Sequence, residues 1–514
     1  MTPNDFITRQ EITALRPWAE KFPTQDSALA EIARLEALLT LPKGTIHIIS
    51  DIHGEDTKLR HVINNASGKL RPLVEGLFGQ IMAPMELRDF LTLIFYPREM
   101  LDALKDKLSN PSTQREFCHK NLKHLFTILR ALSKRYGFEK VNTVFPVDYR
   151  SLFMELLHEP SADRGNEYYS AIIDSILENG KGPELVHLTV RAVRNLAIDE
   201  LIIAGDCWDR GQRGDKVVEY MMKQPNVSFT WGNHDTAWLG ACLGCEALIA
   251  HVFRVSLRYR NIFQLEEGYG IPILPLEYLA RSVYKDDPAS CFKPKVEGLR
   301  DSLMMAKMQK AAAVMQFKLE GQMIARHPEW NLDHRRILHT MDLERGTVLV
   351  DGKICKLKDR NFPTISKEDP YALSPEERSC IDRLKQSFLS SDKMFQHMRY
   401  LRDSGSLYLI RDNHLIIHGC IPTDANGDFL ELPIDGVPYK GKPLFDALND
   451  VIARAIDQPS EYDRDMMWYL WCGPLSPLFG KDRIATMEID LVEEHDTHKE
   501  TKNPFFQQIH EVGF

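Results

Sequence analysis

Leu201-Ile202-Ile203-Ala204-Gly205-Asp206-Cys207-Trp208-Asp209-Arg210-Gly211 is a short apolar run that breaks into glycine, acid and arginine. Four branched or small apolar residues stopped by a Gly-Asp turn read as a buried strand with its chemistry at the carboxyl end. Two further blocks share this grammar. Thr45-Ile46-His47-Ile48-Ile49-Ser50 runs into Asp51-Ile52-His53-Gly54-Glu55, and Val227-Ser228-Phe229-Thr230-Trp231 runs into Gly232-Asn233-His234-Asp235. In α/β sheets, ligands gather beyond the carboxyl ends of strands, where these Asp, His and Asn residues project. The fold class expected is therefore α/β.

The residue types at those ends suit two divalent metals. Such a pair needs hard oxygen and imidazole ligands and one carboxylate able to bridge. Asp51 and His53 sit two apart and can turn toward one metal, Asp206 is the candidate bridge, and Asn233 is the candidate ligand of the second. A metal pair lowers the pKa of a shared water, and the resulting hydroxide attacks phosphorus in line. His234, beside a pinned Asn233, is the natural proton donor to a leaving oxygen. Asp209 is placed to orient that imidazole, and Arg210 offers a planar fork for phosphate oxygens.

With these blocks on the page, the chain resembles the calcineurin-like metallophosphoesterases. That resemblance implies a β-sandwich flanked by helices around a dinuclear site. Asp51 and Asp206 are 155 positions apart, and His234 and His418 are 184 apart, so large, mainly helical insertions must intervene. The wording around the blocks narrows the resemblance to the class III fructose-1,6-bisphosphatases of bacteria. It is carried by Leu41-Pro42-Lys43-Gly44-Thr45, Asn64-Asn65-Ala66-Ser67-Gly68, Gly405-Ser406-Leu407-Tyr408-Leu409, Ile417-His418-Gly419-Cys420-Ile421-Pro422, Trp468-Tyr469-Leu470-Trp471 and His498-Lys499-Glu500-Thr501-Lys502-Asn503-Pro504.

The resemblance implies that Asp51, His53 and Asp206 hold one metal, that Asp206, Asn233 and His418 hold the other, and that His234 is the general acid. It implies manganese, with magnesium or another divalent metal as alternatives. It also implies removal of the carbon-1 phosphate of fructose 1,6-bisphosphate in gluconeogenesis. The residues support His418 independently, because Leu415-Ile416-Ile417 is a short apolar strand ending in His-Gly. Relatives of this kind take one more histidine, from a C-terminal Gly-His block followed by Thr-Pro or similar. After His418 the only histidines are His495, His498 and His510, none after a glycine or ending an apolar strand. The expectation is a chain cut short at Phe514, with an incomplete sandwich, to be checked by translating the downstream DNA. Two other functions stay open: a phosphoprotein or dinucleotide-polyphosphate phosphatase, and a catalytically impaired relic.

Of 514 residues, 43% are hydrophobic, ample for a packed core. The net charge of −9 and the lack of a basic run argue against nucleic acid as partner, so an anionic sugar phosphate must meet local positive charge. Arg210 and Arg213 are candidates; Lys481 and Arg483, after Leu478-Phe479-Gly480, are within reach of a second phosphate, but solvated surface is the favoured reading of both. No stretch reads as a membrane span or signal peptide, so the expectation is a cytoplasmic enzyme without a membrane partner, its homo-oligomerisation left open. Nine cysteines without a framework read as reduced thiols, and Cys242 and Cys245 as buried packing rather than a metal or redox pair.

The blocks divide the chain into an N-terminal helical segment (1–40), a first half of the core (41–84 and 197–246), a helical insertion (85–196), a second, mainly helical insertion with a hairpin (247–398), and a second core half (399–514). Capping residues at Thr24 to Ser27 open a helix to Leu39. Leu101-Leu104-Leu108 and Leu122-Leu125-Leu129-Leu132 repeat at helical spacing. Met304 to Ile324 is helical, its methionines core. Thr347 to Cys355 is a hairpin about Asp351-Gly352, and another hairpin leads into His418.

Overall fold

The three apolar runs are strands in the computed structural model, which describes residues 9–158, 165–295 and 302–511. They are β1 (Ile46–Ile49), β2 (Glu200–Ile203) and β3 (Val227–Thr230), each ending one residue before its run does because the backbone turns to present the site. β2 and β3 pair in parallel, Leu201 opposite Val227 and Ile203 opposite Phe229. All four residues of β2 are buried, as a parallel strand covered on both faces requires.

Seven more strands follow: β4 (Thr347–Val350), β5 (Lys353–Lys356), β6 (Gly405–Ser406), β7 (Tyr408–Arg411), β8 (His414–Ile417), β9 (Leu432–Ile434) and β10 (Val437–Tyr439). β6 adds in parallel to β3, giving a four-stranded sheet in the order β1-β2-β3-β6. The others form three two-stranded hairpins. β4–β5 turns at Asp351-Gly352 and β7–β8 at Asp412-Asn413, all four residues at positive φ between 48° and 76°, the geometry of two-residue hairpin turns. The α/β class with large helical insertions stands. Where the resemblance implied a two-layered sandwich, the described residues hold this one four-stranded sheet and the separate hairpins.

The chain divides into two units, residues 1–47 with 62–200, and residues 48–61 with 201–514. The first is helical, and its longest helix is Pro111–Ser133, in which Leu122, Leu125, Leu129 and Leu132 are all buried. They pack with Phe126, Phe153, Val186, Val190 and Val193 in an apolar cluster. The helix Gln25–Leu39 starts as expected: Thr24 caps it and exchanges hydrogen bonds with Ser27.

The second unit carries the strand ends and the helices Asn233–Cys242, Glu246–Tyr259 and Ser302–Arg326. Residues 306–321 of the last are buried without a break, so it has no solvent face. Met308, Met315 and Met323 are core there, as expected, while Met305 is half-buried. Cys242 and Cys245 are buried free thiols whose pKa values burial pushes well up, to about 12 for Cys245. Among the described residues no single helix is long and apolar enough to cross a membrane.

Candidate active site

The site forms where β1, β2, β3 and β8 end. Asp51, His53 and Asp206 lie in turns with φ of 53°, 48° and 61°, a left-handed region that non-glycine residues occupy at a cost of about 1–3 kcal/mol each. Asp209 is also at positive φ, 126°. Surrounding bonds hold this strain. The N–H of His53 donates to the Asp206 carbonyl at 2.7 Å, and that of Gly54 to the Cys207 carbonyl at 2.8 Å, lacing the first turn to the second. A Cβ at Gly54 would sit 2.8 Å from the Gly211 carbonyl, so only glycine allows this approach.

Asp206, 3% exposed, is the hub. Its Oδ2 lies 3.8 Å from Nε2 of His53 and 3.4 Å from Nε2 of His418, and Nε2 of His53 is 3.7 Å from Oδ1 of Asp51. Ligand atoms of Asp51, His53 and Asp206 all fall within 4.8 Å of one another. Both imidazoles are oriented from behind, Nδ1–H of His53 donating to the Trp208 carbonyl at 3.2 Å and Nδ1–H of His418 to the Ala204 carbonyl at 2.8 Å. Each ring is thereby held with its Nε2 facing the hub. Asn233 is fixed in the same way, its Nδ2 donating to the Trp471 carbonyl at 3.1 Å, which leaves Oδ1 as the acceptor end of the amide.

Electrostatics follow from this crowding. Burial alone would raise the Asp206 carboxyl, but the His234, His418 and His53 imidazoles hold it well below its ordinary value. Burial would lower His418, yet the hydrogen bond and charge of Asp206 and the Ala204 carbonyl carry it up to about 9. His234 stands with Nε2 3.6 Å from Oδ2 of Asp209, and its backbone N–H donates to Oδ1 of Asp206 at 3.2 Å. The same Asp209 oxygen accepts from Nε of Arg210 at 3.0 Å, and Arg210 remains more than half exposed. All eight sequence-derived residues, Asp51, His53, Asp206, Asp209, Arg210, Asn233, His234 and His418, line one cavity of about 510 Å³.

Two of the basic residues named above do not reach this cavity. Arg213 does not line this cavity: it forms a bidentate pair with the buried Asp215, both contacts 2.9 Å, which neutralises it. Arg483 does not either, being held by Asp351 at 2.6 Å. Lys481 does line the cavity, but Glu500 pairs with it at 2.6 Å.

Sequence reasoning missed Asp235, Asn261, His251, Arg254 and Arg258. Asp235 is fully buried, and its carboxylate accepts the N–H groups of Asp206 at 2.7 Å, Cys207 at 2.7 Å and Gly232 at 2.9 Å. One side chain thus clamps the β2 turn to the helix start. Burial and the Asp206 charge push its pKa up to about 7 against those donors. Its place three residues after Gly232 is the capping-box position, a signal hidden because the cap is glycine. Asn261 donates to the Asp209 and Gly211 carbonyls, supporting the arginine turn. His251, Arg254 and Arg258 line the cavity from the helix Glu246–Tyr259, where only their helical spacing could have marked them.

A family model described as Firmicute fructose-1,6-bisphosphatase matches residues 13–514. Relatives named fructose-1,6-bisphosphatase class 3 extend the comparison. The protein of Clostridium novyi is 38% identical over 511 residues, covering 98% of this chain and 76% of the relative. One from Clostridium botulinum is 39% identical over 515 residues, with the same coverage. One from Clostridium beijerinckii is 40% identical over 499 residues, covering 95% of this chain and 75% of the relative. No solved structure matches. A histidine-carboxylate cluster at the strand ends and a match along nearly the whole length agree, and the chain belongs to the Firmicute, class 3 fructose-1,6-bisphosphatase family.

Proposed function

We propose that this chain hydrolyses fructose 1,6-bisphosphate to fructose 6-phosphate and phosphate at a two-metal centre, with manganese as the metal. The supporting observation is the donor set around Asp206: two imidazoles with Nδ1 tied to carbonyls, a carboxylate hub, and an amide turned by the Trp471 carbonyl. Hard oxygen donors mixed with neutral imidazole nitrogen suit a borderline-to-hard divalent cation. Asp51, His53 and Asp206 would hold one ion, and Asp206, Asn233 and His418 the other. When bound, the pair supplies positive charge against the phosphoryl oxygens and a water acidic enough to attack near neutrality.

The chain's own residues do the rest. Buried Asp209, with Oδ2 3.6 Å from Nε2 of His234, would orient the ring and leave its other nitrogen, Nδ1, as the atom that can protonate the departing sugar oxygen. Arg210, anchored through Nε on Asp209, presents its guanidinium to the phosphoryl group. Asp235 keeps the β2 turn and the start of the Asn233–Cys242 helix in register, and with them the spacing of Asp206 and Asn233.

The test is phosphate release from fructose 1,6-bisphosphate by the purified chain with manganese, beside His234→Ala. Turnover in the parent and a loss on the order of 100-fold in the variant are expected. Equal rates in both would overturn the assignment of His234, and preference for another phosphoester would overturn the substrate.

A further inference from the structure

The cavity has a second wall that the chemistry above leaves unused. The helix Glu246–Tyr259 turns His251, Arg254, Val255, Arg258 and Tyr259 into it, a spacing that places all five on one helical face. Arg254 and Arg258 share one buried carboxylate, Asp490, at 3.4 and 3.2 Å. The other side-chain partner of Arg254 is the neutral Oε1 of Gln316, at 2.8 Å from Nε. Glu320 reaches Arg254 only through Gln316, so in direct contact the two guanidinium groups share one carboxylate and carry positive charge that no contacting acid matches. Lys295 adds another: its backbone N–H is anchored on the Arg258 carbonyl at 2.9 Å, and its Nζ donates to the Tyr259 hydroxyl at 3.2 Å.

A near-buried arginine with incomplete charge compensation is unfavourable by itself, since desolvation penalises each ion. The arrangement becomes favourable when an anion enters the cavity and completes it, and planar guanidinium forks suit phosphate. The position also suits. His251 packs its ring 3.9 Å from that of Trp471, whose carbonyl receives the Asn233 amide, so this end of the helix adjoins the metal ligands. Arg258 lies seven residues on, about 10 Å along the helix axis. A substrate held at one end by the metal ligands therefore meets the cations with its far end.

We propose that Arg258, with Arg254 and Lys295, forms the subsite for the phosphate that is not cleaved, and so sets the preference for a sugar bisphosphate over a monophosphate. The inference rests on the fructose-bisphosphatase reading. Lys481 is not needed in it, because Glu500 already balances that charge.

The test compares kcat/KM for fructose 1,6-bisphosphate with that for fructose 1-phosphate in the parent, Arg258→Gln and Arg258→Lys, with manganese present. The bisphosphate-to-monophosphate ratio is expected to fall 10- to 100-fold in Arg258→Gln, the range for losing a charged hydrogen-bonding partner, and to recover partly in Arg258→Lys. The exposed Lys295→Gln, which places no demand on folding, should lower the ratio in the same direction by less. Ratios unchanged in both Gln variants would overturn the subsite.

A binding measurement separates failure of the subsite from failure of the substrate assignment. Fructose 6-phosphate, titrated calorimetrically into the metal-free protein, carries only the uncleaved phosphate. Weaker binding by Arg258→Gln supports the subsite even if the parent prefers another phosphoester, and equal binding by parent and variant overturns it.

Discussion

The two units solve the problem of a buried helix in opposite ways. Pro111–Ser133 buries Leu122, Leu125, Leu129 and Leu132 in a cluster of leucine, valine and phenylalanine and keeps its charges outside. Ser302–Arg326 is surrounded on all sides and buries Lys310, Lys318 and Glu320 with its methionines and alanines. Each charge there has a partner from another element or from the helix itself. Lys318 meets Glu377 at 2.8 Å and the Thr364 carbonyl at 2.5 Å, Lys310 meets Asp287 and Asp359 at 2.5 and 2.7 Å, and Glu320 accepts from Gln316 and Trp468 at 2.7 and 3.1 Å. The first helix is defined by hydrophobic volume and tolerates any residue that fills it. The second is defined by pairing, so its register is fixed by partners far away in sequence.

The largest effect should come from breaking one pair. Lys318 and Glu377 both have fully buried side chains, so Lys318→Met should destabilise by about 3–5 kcal/mol by leaving the carboxylate unpaired. Six of the seven tryptophans lie in the second unit, so their fluorescence during urea unfolding is the readout. Adding Glu377→Gln removes the orphaned charge but keeps an acceptor for Thr364, and should restore at least half of the loss. A single substitution that costs under about 1 kcal/mol would erase the contrast between the helices.

The matching change in the first unit is Leu129→Ala, which removes a fully buried side chain and should cost about 2–5 kcal/mol, read from the helical signal in urea. Leu129→Met, nearly conserving volume, should cost under about 1.5 kcal/mol. A large penalty for the methionine variant would mean that this core also depends on specific fit, narrowing the difference.

This contrast also explains what could be read in the sequence. Hydropathy marks β2 and the leucine-spaced helices because burial there is apolar, whereas β1 buries His47 and leaves Ile48 49% exposed; the three chemical blocks stand out because glycine, acid and histidine break each strand abruptly. Asp351-Gly352 marks its hairpin for the same local reason. Asp235, His251, Arg254 and Arg258 could not be read: a buried charge looks like a surface charge until its partner is known. The partners of Arg254, Gln316 and Asp490, are 62 and 236 residues away. The single four-stranded sheet was hidden likewise, since β6 is two residues long and joins β3 across a long insertion.

The smallest expected effect concerns a buried group that no acid pairs. His397, 2% exposed, has its Nδ1 3.1 Å from the Tyr269 hydroxyl, and burial, helped by Lys393, pushes its pKa down to about 4 while Glu219 and Asp215 oppose the shift. An unfolded histidine titrates near 6.5, so between about pH 6.5 and 4 the unfolded chain binds a proton that the folded chain refuses. Stability from this source is therefore flat above about pH 6.5 and falls on acidification toward pH 4, by on the order of 2–3 kcal/mol. His397→Gln removes the titration but can keep a hydrogen bond to Tyr269. Carboxylates titrate in both proteins, so the difference between parent and variant isolates the imidazole: the variant should gain on the parent as pH drops from 7 to 4. A constant difference across that range would mean that His397 takes up its proton in the folded state, and that burial in the second unit tolerates an unpaired cation after all.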